Sequence, residues 1–452
     1  MLTGKVILEA GRGGEGLRVW AKAHCIALAI SLVFGITACK NRGELKKNGG
    51  EGPGSSERDE MADRQQRLSR RLSESPVERA EKRQRIRDNL FDPRTAIGTC
   101  TSDGWRLSAQ DSFDDRDSPL SSFTAVWGTS SDDVFAASFR PEHRSTILHF
   151  DGSQWSPMIV PQTVAIGGIW GWSPSDVYAV ASTSVLHYDG VMWSVAAQMS
   201  ENRGSQLRSI WGAAPDDVFA VGVPGIIAHF DGKRLRMLES GVRDVDLAVR
   251  VNQRTTSEKY RLNLKGVWGT SKSNVFAVGC KEYLTSKIGF LFHFNGVKWE
   301  HIVGQEFVNR LGGIWGTSDQ DIFIVGDGIE HFDGKSWRVM PTEVDAEFGW
   351  PFAEDGQTDS RYGHGILTAI WGASPSDVFA VGAAGRSAGR PRGALILHYD
   401  GKGPWREMKA GTKKELTAVW GSGPEDVYAV GDYGTILHYE GKSCLPLRAA
   451  GE

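Results

Sequence analysis

The sequence predicts an all-β fold, a seven-bladed β-propeller, and three observations predict it. The first is a repeated sentence. Its last copy runs Leu416-Thr417-Ala418-Val419-Trp420-Gly421, then Asp426-Val427-Tyr428-Ala429-Val430-Gly431, then His438-Tyr439-Glu440-Gly441. The second is its period. The anchoring tryptophans Trp127, Trp170, Trp211, Trp268, Trp315, Trp371 and Trp420 are spaced by roughly 49 residues, and a period of about 40–50 with several short strands per unit is the mark of a β-propeller. The third is the texture within each unit. Short runs rich in Val, Ile, Phe, Tyr and Trp are separated by Gly, Pro, Asp and Ser, which is strand-and-turn chemistry. These runs are apolar at both alternating sets of positions, as suits a sheet covered on two faces by its neighbours.

Each unit supplies four strands, A to D. Strand A is the run ending in Trp-Gly, B is the Val-Phe-Ala-Val type, C the Ile-Leu-His-Tyr type, and D carries a late Trp. Two residues before the strand A Trp stands Ala125, Gly168, Ser209, Gly266, Gly313, Ala369 or Ala418. All are small, so A is expected to be the inner strand, crowded around a narrow axis. The pairs Asp151-Gly152, Asp189-Gly190, Asp231-Gly232, Asp333-Gly334 and Asp400-Gly401, with Asn295-Gly296 in the fourth unit, mark the C–D hairpin turns.

Both ends of the repeat array are irregular. Asp103-Gly104-Trp105-Arg106-Leu107 reads as a strand D detached from its blade, and Cys444 stands where the last blade lacks its own strand D Trp. The economical arrangement has Trp105 completing the seventh blade, with Cys100 bridged to Cys444. Cys280 is then the odd cysteine, expected to be buried and inert.

The chain divides into 1–38, a lipoprotein signal; 39–98, a charged tether; and 99–452, the propeller. Lys5, Arg12, Arg18 and Lys22 precede an apolar stretch from Cys25 to Phe34, too short for an ordinary membrane span. Ile36-Thr37-Ala38-Cys39 follows and resembles a lipobox, so Cys39 is the expected lipidation site and the membrane is reached through a lipid anchor. In the tether, Gly49 to Ser56 cannot bury a core. Ser75-Pro76-Val77-Glu78 has the form of a helix start, giving an expected helix over 76–90. If fully flexible, the 39–98 segment has a reach of about 40 Å. Charge is uneven: residues 40–98 hold 15 Lys/Arg against 11 Asp/Glu, and residues 99–452 hold 33 against 42. An acidic propeller argues against general nucleic-acid binding, which needs a basic face.

The repeat resembles that of bacterial exported β-propeller repeat proteins, W-G-x-x-x-x-D-V-(F/Y)-A-V-G followed by H-(F/Y)-D-G-x-x-W, over Thr101 to Leu447. The Gly-Gly pair of kelch units is missing. The resemblance implies the propeller fold and export. Because Lys40, rather than Asp, follows Cys39, it also implies an outer-membrane lipoprotein of the cell envelope, facing the periplasm or the cell surface.

Most of the chemistry-bearing residues recur too regularly to be a site. His149, His187, His229, His293, His331, His398 and His438 occupy one repeat position. Asp133, Asp176, Asp217, Asp321, Asp377 and Asp426, with Asn274 in the fourth unit, open strand B. The start of B and the end of C share one edge of a blade, so an Asp–His hydrogen bond is expected there. Asp133, His149, Asp321 and His331 are accordingly read as structural, since a metal or catalytic role would need one blade to be special. Gly385-Arg386-Ser387-Ala388-Gly389 fits G-x-S-x-G but lacks the strand–turn–helix setting of a nucleophile elbow. The sequence contains no metal-spaced Cys/His cluster, Walker loop or EF-hand loop, and no catalytic residue, metal or cofactor is assigned.

The informative departures are insertions. They fall in the D–A connections before blades four (about Glu239–Asn263) and six (about Pro341–Ile366), and in the B–C connections of blades one (Ser138–Ser145), four (Cys280–Gly289) and six (Ala383–Gly393). D–A and B–C loops share one face of a propeller, and insertions on one face often form the binding surface. The candidate partner-binding residues there are Arg140, Arg144, Trp350, Phe352, Arg390 and Arg392. Arg208 and Lys265 join them where strand A begins in blades three and four, since other blades have Thr or Gly. The reading is an envelope propeller that binds a protein, peptide or glycan. Two alternatives stay open: a polysaccharide hydrolase or lyase with its site at the axial mouth, and a structural assembly scaffold.

Overall fold

A computed structural model describes residues 100–109, 122–138, 145–161, 165–199, 205–238, 262–282, 287–302, 310–343, 365–385 and 393–441. These form seven antiparallel sheets of four strands each. Blade one consists of strands Phe123–Ser130, Asp133–Ser138, Ile147–Phe150 and Trp155–Met158, hydrogen-bonded in chain order. The other blades repeat this plan, and the ring is closed as the displaced strand suggests. Trp105–Ala109 pairs antiparallel with Ile436–Tyr439, with Trp105 opposite Tyr439, and becomes the fourth strand of the last blade. The expected signal, tether helix 76–90 and Cys39 lie outside the described residues, as does Cys444.

The Trp-Gly pair explains how one blade meets the next. A Cβ placed on Gly372 of blade six would stand 2.6 Å from Cη2 of Trp315, which belongs to blade five. Around the ring, from Trp127 over Gly171 to Trp420 over Gly128, the preceding blade's indole also comes within 3.1 Å of such a Cβ, joined in five of the seven blades by the carbonyl oxygen of the residue that opens strand B. Glycine is required here for space, where an indole and a carbonyl of the same blade converge.

A second aromatic contact works farther out. The strand D Trp lies beside the strand C aromatic of its own blade, as in Phe150–Trp155 and Tyr399–Trp405, with ring centroids 5.3 and 5.4 Å apart. It also meets the strand B aromatic of the preceding blade edge-on, as in Phe323–Trp405 at 6.2 Å and Tyr428–Trp155 at 6.2 Å. Trp105 takes both roles in the seventh blade. It is 5.3 Å from Tyr439 and 6.1 Å from Phe379 of blade six, and it is fully buried. Blade three carries Leu235 in place of the Trp, also buried.

Strand A contains a bulge in every blade. In blade one the pairing steps from Phe123↔Ser138 to Ala125↔Ala137, leaving Thr124 without an opposite residue. The corresponding residues are Gly167, Arg208, Lys265, Gly312, Thr368 and Thr417. Sequence spacing alone does not reveal this irregularity. The blade-four B–C insertion also differs from a loop over Cys280–Gly289. The ladder continues through it, with Cys280 opposite Gly289 and Glu282 opposite Lys287. Cys280 is a fully buried thiol and Lys281 beside it is buried too, so the buried run that starts at Val275 persists into the hairpin.

Ring closure by the first strand generates a test. Trp105→Ala removes a completely buried indole, a change that costs about 3–5 kcal/mol in a protein core. Urea unfolding should show that loss together with a broadened transition as the last blade opens. A variant as stable and as cooperative as the parent would contradict the closure.

Candidate functional site

The seven A strands surround a central cavity of about 180 Å³. Its lining falls into three tiers. The bulge residues Thr124, Gly167, Arg208, Lys265, Gly312, Thr368 and Thr417 form the tier where strand A begins. The small residues predicted at the axis, from Ala125 to Ala418, form the second. Val126, Ile169, Ile210, Val267, Ile314 and Ile370 form an aliphatic third. Strand A is therefore the inner strand, and the axis is narrow for the reason the sequence suggests.

The bulge tier is built for blade-to-blade contact. The Thr417 hydroxyl donates to the Phe123 carbonyl of blade one at 2.6 Å, across the ring closure. Thr124 reaches the Ile166 carbonyl of blade two at 2.6 Å, and Thr368 the Leu416 carbonyl of blade seven at 3.0 Å. At Gly167 a Cβ would stand 2.6 Å from the Leu207 carbonyl oxygen, so only glycine fits without displacement. Arg208 and Lys265 depart from this pattern, on adjacent blades.

The cationic pair lies at the insertion face. Strand A begins opposite the end of strand B, as in Leu207↔Gly222 and Leu264↔Gly279, so the bulge tier sits beside the B–C and D–A connections. Described residues frame the insertions, in blade four through the ladder given above. In blade one the Ser138 backbone N–H donates to the Thr146 carbonyl at 2.9 Å. In blade six Ala384 N–H donates to the Gly393 carbonyl at 2.9 Å. The connection before blade six begins along the outer edge of that blade: Trp405 N–H donates to Pro341 O at 2.9 Å, Glu343 N–H to Trp405 O at 2.8 Å, and Thr342 is completely buried. Of the sequence candidates, Arg208 and Lys265 are brought together at the axis. Arg140, Arg144, Trp350, Phe352, Arg390 and Arg392 lie outside the described residues.

The opposite edge carries the repeated Asp–His pair. His149 Nε2 meets Asp133 Oδ1 at 2.6 Å, and His331 meets Asp321 at 2.6 Å. Each imidazole also lies beside the strand B aromatic, Phe135–His149 at 4.5 Å and Phe323–His331 at 4.1 Å between centroids. The second carboxylate oxygen accepts from a hydroxyl four residues earlier where one exists, as Thr129 to Asp133 and Ser422 to Asp426. Burial pushes the Asp133 and Asp426 carboxyls up, but the hydrogen bonds from histidine and hydroxyl outweigh it and leave both below the ordinary carboxylate value. Blade four keeps the geometry with a neutral partner. Asn274 Oδ1 meets His293 Nε2 at 2.7 Å and its amide donates to Thr270 Oγ1 at 2.7 Å, while burial pulls the His293 pKa down.

The Asp of the C–D turns is a local device. Asp151 Oδ1 accepts from the Ser153 hydroxyl and from the Gln154 and Ser153 N–H groups, which pulls its carboxyl down to about 2. Gly152 follows at φ +85°, the left-handed conformation that turn needs. Among the described residues no group of three or more His, Cys, Asp or Glu is placed to hold a metal ion.

No protein-family model matches the chain, and no curated protein matches it. Solved structures do. YCF48 from Cyanidioschyzon merolae aligns with a TM-score of 0.52 at 14% identity, covering 75% of this chain and 98% of that one. A structure of YCF48 bound to D1 peptide aligns at 0.49 and 14%, covering 76% and 99%. The extracellular domain of a hybrid two-component system from B. thetaiotaomicron aligns at 0.47 and 8%, covering 75% of this chain and 41% of that one. At these identities the likeness is one of fold.

Blade six exposes a weakness in the Asp–His edge. Asp377 Oδ2 is buried with no hydrogen-bond partner, because Ala373 stands where blades one, five and seven have Thr or Ser. Ala373→Thr should supply the missing donor and raise stability by about 0.5–1.5 kcal/mol, read as a higher denaturant midpoint with an unchanged slope. A lower midpoint would show that the edge does not work as described.

Proposed function

We propose that this chain is an exported, lipid-anchored member of the bacterial propeller-repeat proteins, which captures a protein, peptide or glycan partner in the cell envelope through its insertion face. The observation that carries this reading is the asymmetry between the two faces. The Asp–His and Asp-Gly edge repeats from blade to blade and is accounted for by turns and packing. Departures from the repeat collect at the other face, where the two cationic exceptions at the axis also stand. Loops can vary there without disturbing the blade contacts, and the inserted segments hold the arginines and aromatics that commonly carry interface energy.

In this reading Arg140 and Arg144 of blade one, Trp350 and Phe352 before blade six, and Arg390 and Arg392 of blade six contact the partner, with Arg208 and Lys265 at the mouth. Cys39 carries the lipid, the 39–98 segment is the spacer, and the propeller stands at the outer membrane. A Cys100–Cys444 bridge would secure the closing strand. Its support is position: Cys100 stands five residues before that strand begins, and Cys444 follows the last strand of the same blade by five residues.

Two measurements check the two halves of the proposal. Mass spectrometry of the envelope-purified protein should find an acylated Cys39 peptide and a linked Cys100–Cys444 peptide; an unmodified Cys39, or Cys100 linked elsewhere, would refute the corresponding part. Photocrosslinking in the native envelope should lose partner capture by at least tenfold in Trp350→Ala and in Arg390→Glu with Arg392→Glu, at unchanged thermal stability. Normal capture by these variants, with loss on changing the short-turn face, would reverse the assignment of faces.

A further inference from the structure

We infer that the short-turn edge of blade two is the contact between two copies of this chain, paired about a two-fold axis that passes through that blade. The inference is independent of the proposed partner capture, which uses the other face.

The argument begins with what each blade leaves exposed. Of the eight large apolar side chains that stand exposed among the described residues, four belong to blade two: Val191 at 84%, Met192 at 61%, Val195 at 43% and Trp172 at 37%. That blade consists of Ile166–Ser173, Asp176–Ala181, Ser184–Tyr188 and Trp193–Gln198. Trp172 stands near the end of strand A, where blades one, four, five and seven have Thr or Ser. Val191 and Met192 fill the C–D turn, where blade three has Lys233-Arg234 and blade five has Lys335-Ser336. Val195 lies on the outermost strand. The two turns touch, since a Cβ on Gly190 would stand 2.7 Å from that of Ser175. The four side chains therefore share one edge that continues onto the rim. Residues 162–199 contain no Lys or Arg, and every other blade carries at least one. The turn itself does not call for apolar residues. Asp189 Oδ1 accepts from the Val191 and Met192 backbone N–H groups at 2.9 and 2.8 Å, which fixes the turn through the backbone alone. A concentration of exposed apolar surface on one blade marks an interaction site.

The flanks say what covers it. Toward blade one the edge is acidic. Asp132 and Asp151 are exposed there, and a Cβ on Gly152 would stand 3.0 Å from that of Asp132, so the two turns adjoin. Toward blade three the edge is basic. Lys233, Arg234 and Arg236 are exposed, Arg236 meets Asp231 at 3.5 Å, and Asp216 is the other exposed acid. The order along the edge is thus acid, apolar, base. A two-fold axis through blade two lays the apolar edge on its twin. It also sets the acidic flank of each copy opposite the basic flank of the other, at both ends at once, as an isologous contact requires. The alternative two-fold arrangement, with blade one on blade one, sets acid against acid and base against base, and such like-charge facing suppresses it. An unrelated apolar partner would cover blade two and leave both flanks without a role.

Two experiments on the full chain test this. In the native envelope, Val191→Cys should give a disulfide-linked homodimer under mild oxidation, because residue 191 lies beside the axis and meets its twin. Val297→Cys, at the same turn position of blade four and as exposed, should not. Sedimentation of the purified chain should show a reversible dimer. Val191→Lys with Met192→Ser installs the pair that blade five carries, and should weaken the dimer by about tenfold or more at an unchanged melting temperature. Lys233→Glu with Arg234→Glu, and separately Asp132→Lys, should each weaken it as well. An equimolar mixture of those two chains should recover dimers, because each acidic flank then meets a basic one. Trp350→Ala should leave the dimer intact, so partner capture and self-association fail separately. A monomer at every concentration, equal crosslinking at 297 and 191, an undiminished dimer in the Lys-Ser variant, or no recovery in the mixture would each overturn the inference.

Discussion

The structure depends on one contact made seven times, the indole of a strand A tryptophan lying on the glycine that follows the tryptophan of the next blade. It fixes blade spacing near the axis, where there is least room. Every other regularity is compatible with it. Small residues stand two positions earlier because the strands converge, and the bulge just before them places one further residue per blade at the axis. The outer Trp contacts then fill the widening gap, with Trp105 supplied from the opposite end of the chain. A wedge-shaped blade needs this gradation from glycine at the centre to indole at the rim.

That gradation was legible because it repeats. A small residue before Trp127 means little alone, but the same size class in seven copies marks an axis. The displaced Asp103-Gly104-Trp105 could be read as a missing strand D because five of the six other blades carry a Trp there. The bulge at Thr124 escaped, since its effect is on pairing, and Thr and Gly are ordinary strand and turn residues. The extended hairpin of blade four escaped because Lys281, Glu282 and Lys287 have the composition of a loop. Only the ladder shows that the strands continue past Cys280.

The candidate site was legible to the opposite degree. Repetition identifies what is structural, and it leaves the functional residues as a remainder that no other copy interprets. Arg208 and Lys265 stood out because five sister positions are Thr or Gly, and the structure gives that contrast its meaning by placing all seven at the mouth of one cavity. The loop residues from Arg140 to Arg392 have no sister positions. Their assignment comes from the face on which the insertions lie, a property of strand order.

The most direct test of the account is a double-mutant cycle at the Trp315–Gly372 contact, where all three atoms nearest a Cβ on Gly372 belong to the indole. Gly372→Ala in the parent should cost about 1–3 kcal/mol by overpacking. In a Trp315→Ala background the same change should cost almost nothing, because the new methyl enters space the indole has left. That would give a coupling of more than about 1 kcal/mol in unfolding free energy. Additive costs, with Gly372→Ala equally damaging in both backgrounds, would show that the glycine is there for its backbone and that the blades are not spaced by the indole.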